Sequence, residues 1–414
     1  MTRAMKNTHL NGIGLMPSEW KLVKVKKIFN ISRGRVIAKT ELSDEGVYPV
    51  YSSQTKNNGC LGFIDTYDYD EPQLTWTTDG ANAGTVFLRE GKYNCTNICG
   101  TLLPKTKDNN LHYLKYSLAH VAIYHKRADT NGYKIMSNEM AEIEIPLPDK
   151  RIQKNIATFL DGKTAQIDSI IENTKQSIIE FKKYKQALIT ETVTKGLNPE
   201  VQMKDSGIEW IGEIPEQWHV SKLKRFSNIR YGLGEPPKLS EDGLPIIRAT
   251  NIERGKIVTN NLIKAKIEDI PSAKDVVLKH GDILIVRSGA YAGDVALVSQ
   301  EWEGTLAGYD MIISLFDINP KFTSYALLSD YILKAQLYLS RMRSAQPHLN
   351  AADVGKVQIV VPSLSEQQQI ADYLDEKCAH IDSLIADKEK LIREFEDYKK
   401  ALIYEYVTGK KEVE

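Results

Sequence analysis

Two stretches of the chain carry the same apolar rhythm. Positions 370, 374, 377, 381, 384, 388, 391, 395, 398 and 402 recur at alternating steps of four and three and hold Ile, Leu, Lys, Ile, Leu, Lys, Leu, Phe, Tyr and Leu. Positions 156, 160, 163, 167, 170, 174, 177, 181, 184 and 188 repeat the pattern, with Ile178 beside the polar Ser177. This spacing predicts two long helices, each with a stripe that one other helix can cover. Ile156, Leu160, Ile167, Phe181 and Leu188 mark the first seam and Ile370, Leu374, Ile381, Phe395 and Leu402 the second. Lys163 and Lys377 are expected to snorkel to the seam's edge. Each helix opens after prolines, at Pro146-Leu-Pro148 and at Pro362, and Ser365 with Gln368 is the expected capping box of the second. Two like seams are most simply buried on each other, antiparallel, and 45 residues of helix reach about 68 Å.

The rhythm belongs to a wider duplication. Residues 148–196 laid over 362–410 give 23 identities in 49 ungapped positions, including Ile167-Asp168-Ser169 over Ile381-Asp382-Ser383 and Tyr184-Lys185 over Tyr398-Lys399. Residues 13–34 match 211–232, pairing Pro17 with Pro215, Trp20 with Trp218 and Gly34 with Gly232. A weaker match sets Gly80-Ala81-x-Ala83-Gly84 on Gly289-Ala290-x-Ala292-Gly293. A repeat fixes architecture more firmly than local propensity. One unit of about 200 residues is therefore present twice, and its first part has diverged far more than its helix.

The diverged parts mix strands and helices in the same order. Strands are expected at Tyr48–Tyr51, Leu74–Thr77, Thr85–Leu88 and Ile143–Ile145, with a helix over Leu111–His125. The second copy suggests strands at Pro245–Arg248, Asp282–Arg287, Val295–Val298 and Met311–Phe316, then a helix over Ser324–Ser340. The expected fold class is α/β in the α+β sense, with two globular domains joined by two long antiparallel coiled-coil helices in a pseudo-two-fold duplication. Its segments are an N-terminal stretch 1–15, a first domain 16–147, a central helix 148–197, a linker 198–213, a second domain 214–361 and a C-terminal helix 362–414.

Composition narrows the function. Lys plus Arg and Asp plus Glu each total 54, so any polyanion must be met by local patches rather than a global field. No apolar run approaches the roughly 18 residues of a membrane span, and the polar start lacks a signal-peptide core, so a cytoplasmic location without membrane contact is expected. Cys60, Cys95, Cys99 and Cys378 form no disulfide framework, and Cys95-x3-Cys99 lacks metal spacing. Catalytic motifs are missing too. Gly162-Lys163-Thr164 has Ala157 where a phosphate loop needs Gly, and Gly232-x-Gly234 opens no helix. Glu235-Pro236-Pro237-Lys238 lacks the amide and ring of an amino-methyltransferase motif.

Polar groups suited to base edges gather around the Gly-Ala-x-Ala-Gly turn. These are Thr77, Thr78, Asp79 and Asn82 in the first copy and Arg287, Ser288 and Tyr291 in the second. Arg pairs with guanine and Asn or Gln with adenine, so Arg287 in place of Thr78 would change the base read. Further candidates are Ser52, Ser53, Gln54, Asn57, Asn58 and Lys134, then Arg248, Thr250, Asn251, Arg341, Arg343, Gln346 and His348. The basic runs Lys21-x2-Lys24-x-Lys26-Lys27 and Lys222-x-Lys224-Arg225 recur in both copies and suit either phosphate contact or an exposed strand edge.

These residues resemble the specificity subunits of type I restriction-modification enzymes over essentially the whole chain. The resemblance rests on Pro17-Ser-Glu-Trp20 and Pro215-Glu-Gln-Trp218, on Asp205-Ser-Gly-Ile-Glu-Trp-Ile-Gly-Glu-Ile-Pro215, and on Gly281-Asp-Ile-Leu-Ile-Val-Arg-Ser-Gly289. Pro362-Ser-Leu-Ser-Glu-Gln-Gln-Gln-Ile370 with the Ile-Asp-Ser helix completes it. It implies a non-catalytic DNA-sequence reader, each domain recognising one half of a split double-stranded target while the helix pair sets the gap. It also implies two methyltransferase subunits carrying S-adenosylmethionine, and restriction subunits using ATP and magnesium, with no cofactor on this chain. Half-sites one duplex turn apart, about 34 Å, lie within the length of such helices. The competing reading is a coiled-coil adaptor whose domains bind proteins.

Overall fold

The computed structural model describes residues 3–130, 132–270, 276–338 and 348–413. The chain forms two compact units, residues 1–175 with 389–414 and residues 176–388. Each unit therefore holds one mixed domain, the start of one long helix and the end of the other.

In the first unit a four-stranded antiparallel sheet runs Phe29–Arg33, Cys99–Pro104, Gln73–Thr77, Val86–Arg89 in spatial order. Beside it, Tyr48–Tyr51 pairs antiparallel with Cys60–Ile64 and parallel with Asn94–Cys95. Lys21–Lys24 pairs with Glu144–Leu147, which leads into the long helix Lys150–Lys195. The second unit repeats the plan. Ser227–Tyr231, Met311–Leu315, Ile283–Ile285 and Val295–Leu297 form the four-stranded sheet. Leu239–Ile247 pairs with Ile263–Ala265 and, in parallel, with Leu306–Ala307. His219–Lys222 pairs with Gln358–Val361, which precedes the long helix Leu364–Val407.

Shorter helices pack on the four-stranded sheets. Leu111–Ala122 is capped by Asn110, whose side chain accepts the Tyr113 N–H, and Pro320–Leu328 by Asn319 in the same way. The second helix was expected over Ser324–Ser340. It starts earlier because Asn319 caps it and Pro320 suits its first position. It stops at Ser329, whose ψ of 153° is extended and whose hydroxyl turns back to the Ala326 carbonyl. A π turn over Leu333–Leu337 follows, and Ser340 lies outside the described residues.

Several residues shared by the two long helices grip a domain. Gln153 and Gln367 are buried, and each accepts the backbone N–H of the neighbouring cap, Asn110 at 3.0 Å or Asn319 at 2.8 Å. Each also donates to a proline carbonyl, Pro148 or Pro362, at 2.9 Å. Asp161 and Asp375 accept the hydroxyls of Tyr116 and Tyr325, both at 2.8 Å. Ile-Asp-Ser and Tyr-Lys explain each other. Lys399 meets Asp168 at 2.6 Å in the first unit and Lys185 meets Asp382 at 2.7 Å in the second, joining antiparallel helix segments.

The seam is real but its phase differs from the expected one. The positions turned inward after Leu160 are 164, 167, 171, 174, 178, 181 and 185, and after Leu374 they are 378, 381, 385, 388, 392, 395 and 399. Ile156, Leu160, Ile167, Ile370, Leu374, Ile381 and Leu402 are buried, and Phe181, Leu188 and Phe395 half-buried. Lys163 is exposed and Lys377 half-exposed beside Tyr373, so Thr164 and Cys378 take the places expected for the two lysines. The domain contacts set this phase. Ile156, Ala157 and Leu160 enter the first domain's core and the Tyr116 hydroxyl sits 2.9 Å from Thr164, which rotates the helix so that the next inward step is four. Ile370, Ala371, Leu374 and Cys378 do the same in the second core. The capping box also shifts. Ser363 accepts the Glu366 N–H and Glu366 the Ser363 N–H, because the chain can turn helical as soon as it leaves the strand, and Glu suits the helix's positive end better than Gln. Asp149 caps the first long helix at Ile152.

The stretches 3–17 and 198–215 fold alike as hairpins, Met5–Asn7 with Leu15–Pro17 and Met203–Asp205 with Glu213–Pro215. Trp20 and Trp218 follow them, buried against the helix ends at Gly409 and Gly196. Those glycines have φ of +71° and +80°, and a Cβ on Gly409 would lie 2.5 Å from Pro17.

Ile170 is 40% exposed and Ile171 7%, so the seam's phase is testable. Ile171→Ala is expected to cost about 2–4 kcal/mol and Ile170→Ala no more than about 0.5 kcal/mol in urea unfolding. Equal costs, or the reverse order, would contradict this phase.

Candidate nucleic-acid interface

The duplicated glycine turn closes the same hairpin in both units. Gly80 and Gly84 have φ of +90° and +87°, Gly289 and Gly293 +83° and +100°, a region that L side chains rarely enter. Ala83 N–H donates to the Gly80 carbonyl and Gly84 N–H to Thr77, at 3.1 and 2.9 Å. In the second unit Ala292 donates to Gly289 and Gly293 to Val286, at 3.1 and 2.8 Å. This backbone leaves the middle side chain free, and Asn82 and Tyr291 both project into solvent.

Side chains at the foot of the first turn divide by burial. Thr77, Thr78 and Ser52 are buried. Thr77 accepts the Thr85 N–H and donates to the Asn82 carbonyl. Thr78 donates to the Ile98 carbonyl, and Ser52 accepts from Thr96. Their hydroxyls hold the turn and its neighbours in place. Asp79 and Lys134 face each other across a short ladder, but Lys134 Nζ is 2.5 Å from Asp129 and 3.5 Å from Asp79. The Asp129 hydrogen bond chiefly raises the Lys134 ammonium pKa. Asn57 and Asn58 are exposed at φ of +49° and +53°, with Ser53 and Gln54 half-buried, Gln54 donating to the Cys60 carbonyl. Asn82 reaches Thr55 at 3.4 Å, so the 53–58 loop and the glycine turn form one surface.

Beneath that surface lies Arg89, a residue sequence reasoning missed. Only 2% exposed, it donates to Thr75 at 3.2 Å and to the Asn58 carbonyl at 2.8 Å, and it packs over the Tyr51 ring at 3.6 Å. Burial lowers its pKa. No sequence signal separates it from an exposed strand-end arginine.

The second unit gathers cations and rings. The Arg287 guanidinium lies 4.2 Å from the Tyr309 ring and 4.8 Å from the Tyr231 ring, and 3.3 Å from His348 Nε2. Ser288 Oγ is 3.0 Å from His348 Nδ1, on a bridge between the two backbones. Arg248 is half-buried and donates to the Asn261 carbonyl, and Thr250 is exposed. Asn251 is fully buried, bonded to the Val258 and Asn260 carbonyls, and so shapes its loop. Arg341, Arg343 and Gln346 lie outside the described residues. Tyr231 and Tyr309 were not expected from the sequence, where an aromatic at a strand end reads as core. Both rings are substantially exposed. Asp310, buried beneath Arg287, accepts its backbone N–H at 3.2 Å, and burial pushes the carboxyl up to about 6 against the pull of that bond and charge.

Cys95 and Cys99 are buried beside Tyr93, and the described residues contain no cluster of three metal-capable side chains. No described helix is long and apolar enough to cross a membrane.

A family model described as the type I restriction modification DNA specificity domain matches residues 17–180 and again 215–393. The specificity subunit of the type I restriction enzyme MjaVIII of Methanocaldococcus jannaschii is 28% identical over 419 residues, spanning 95% of this chain and 93% of its own. A Mycoplasma pneumoniae sequence named as the N-terminus of a type I specificity subunit is 43% identical over 142 residues, 34% of this chain and 76% of that one. Among solved structures, a chain from work on complex assembly and conformational transition of the type I R-M system has a TM-score of 0.70 at 16% identity, over 96% of this chain and 99% of that one. The last is a likeness of fold.

Asp310 supplies a test of the second cluster. Its raised folded-state pKa means that the buried anion costs stability above pH 6, a cost that vanishes as pH falls below the unfolded value. Asp310→Asn keeps the acceptor for Arg287. It is expected to stabilise the protein at pH 8 by about 1–3 kcal/mol and to be near neutral at about pH 4, as read by urea unfolding at both pH values.

Proposed function

Because the chain belongs to the type I restriction-modification DNA specificity family, we propose that it reads a split DNA target, one half with each domain. The observation that carries this is the pair of matching glycine turns on matching sheets with different side chains upon them: Asn82 on one, Arg287 and Tyr291 on the other. A shared frame with exchanged readers is what two half-sites of different sequence require. Arg287 supports the reading further. Held between two rings beside His348, its planar fork is oriented before any duplex arrives, which lowers the entropy lost on pairing with a guanine edge.

The two long helices set the number of base pairs between the halves and dock two methyltransferase subunits. This chain supplies sequence and spacing, and the chemistry lies with its partners. S-adenosylmethionine is held by the methyltransferase subunits, and ATP and magnesium by restriction subunits. This division accords with the reading of the chain as a specificity subunit, and the long unbroken helices accord with a spacer.

Methylome sequencing of cells carrying this chain with its methyltransferase subunit tests the reading. We expect a bipartite motif that is absent when the methyltransferase acts alone. Arg287→Ala is expected to relax one position in one half, with a loss of about 1–3 kcal/mol of discrimination there, and to leave the other half unchanged. A stable complex that methylates no specific motif would overturn the reading in favour of a protein-binding adaptor.

A further inference from the structure

The two basic runs have opposite fates in the two units. In the first, Lys24 lies 2.8 Å and Lys26 2.5 Å from Glu142. The bonds from Lys24 and then Lys26 hold that carboxyl down to about 2, and Glu144 adds its field at Lys24. Lys105 donates to the Lys26 carbonyl and closes the same patch. Lys24 and Lys26 are thus both engaged by Glu142.

The second unit keeps the frame and lacks both acids. Lys222 pairs across the ladder with Gln358, as Lys24 pairs with Glu144. By the offset of the repeat Lys356 stands where the first unit has Glu142, and Gln358 where it has Glu144. Lys222, Lys224, Arg225 and Lys356 are all exposed, and none makes an ion pair with a described residue. Lys224 and Lys356 line a cleft of about 330 Å³ floored by Ile229 and Gly355. Gly355 matters to its shape, since a Cβ there would stand 3.3 Å from the Lys224 Cβ. The acid on the adjoining turn, Asp353, has its N–H capped by Asn350.

The cleft continues into the cluster around Arg287. Its wall residue Ala351 donates its N–H to the Tyr231 hydroxyl at 3.0 Å, and the Tyr231 ring flanks Arg287. We propose that Lys224 and Lys356 form a DNA-phosphate anchor confined to the second unit, gripping the backbone beside the bases that the Arg287 cluster reads. The proposal rests on the DNA-reading function above. Two uncompensated lysines on a rigid frame next to a base-reading group suit a sequence-blind contact that fixes register. An acidic protein surface is the other possible occupant, but the continuity with Arg287 favours DNA.

The test measures affinity of the chain in complex with its methyltransferase subunit, for a duplex carrying the methylated motif and for a scrambled duplex, from about 50 to 200 mM salt. Lys224→Gln with Lys356→Gln is expected to reduce the slope of log affinity against log salt by about two. Both duplexes should lose affinity equally, with the motif unchanged. Lys26→Gln, already neutralised by Glu142, should change the slope by less than about half a unit. An unchanged slope in the double variant overturns the anchor. So does an unchanged slope accompanied by loss of the methyltransferase subunit, which would assign the lysines to a protein contact. Wild type that shows no preference for the motif duplex would instead sink the DNA-reading function itself, and Arg287→Ala, which should weaken the preference while keeping the slope within about one unit, separates the two failures.

Discussion

A seam of about two positions per heptad is too narrow to seat a helix on a globular core by itself, and everything else in the molecule follows from how that stripe is covered. In the first unit Ile156, Leu160 and Ile167 are closed by Leu402, Ile403 and Val407 from the far end of the chain. In the second, Ile370 and Leu374 share a core with Leu188, Ile189 and Val193. Neither domain completes its core with its own helix alone. The same dependence appears in polar contacts: Lys410 donates to the carbonyls of Ile13 and Leu15, and Arg3 pairs with Glu412. Closing the first unit brings residues nearly four hundred apart into contact, an entropic cost that local structure cannot offset until the helices have formed.

That dependence explains what the sequence made legible. A period sustained over 45 residues identifies a long helix whatever its surroundings, and a repeat identifies its partner. Phase is another matter. Ile170 stands beside Ile171, Leu384 beside Ile385 and Leu391 beside Ile392, so either choice offers an apolar stripe. The decision comes from tertiary contacts such as Tyr116 on Asp161 and Thr164, which no periodicity records. The capping box sits at Ser363 and not at Ser365 for a related reason, since both carry a suitable partner three residues on and only the strand's end at Val361 selects the first.

The interface was half legible. Glycines spaced four apart mark a turn that needs positive φ twice, and the structure places that turn where candidate readers converge. Burial was hidden. Thr77, Thr78, Ser52 and Asn251 are the residue types that read bases, but they are also the types that close turns, and here each spends its hydrogen bonds on neighbouring backbone or side chains. Lys134, a candidate for base contact by residue type, is held by two aspartates. Tyr231 and Tyr309 carry no signature along the chain, since their part depends on Arg287 packing against both rings.

The pattern of identity and divergence between the two copies then has a physical reading. Gln153 and Gln367, Asp161 and Asp375 match because each fixes the same joint between helix and domain, and Lys185 and Lys399 because each fixes the same joint between the two helices, where a lost partner would strand a polar group in partly buried surroundings. The turn positions carry no such penalty. Their backbone is held by its own hydrogen bonds, so exchanging the exposed Asn82 for Tyr291 alters what is presented without altering the frame. A scaffold whose internal bonds are complete before the reading side chains are chosen can change its target at little cost in stability, and the different chemistry of the two turns is the expected result of such freedom.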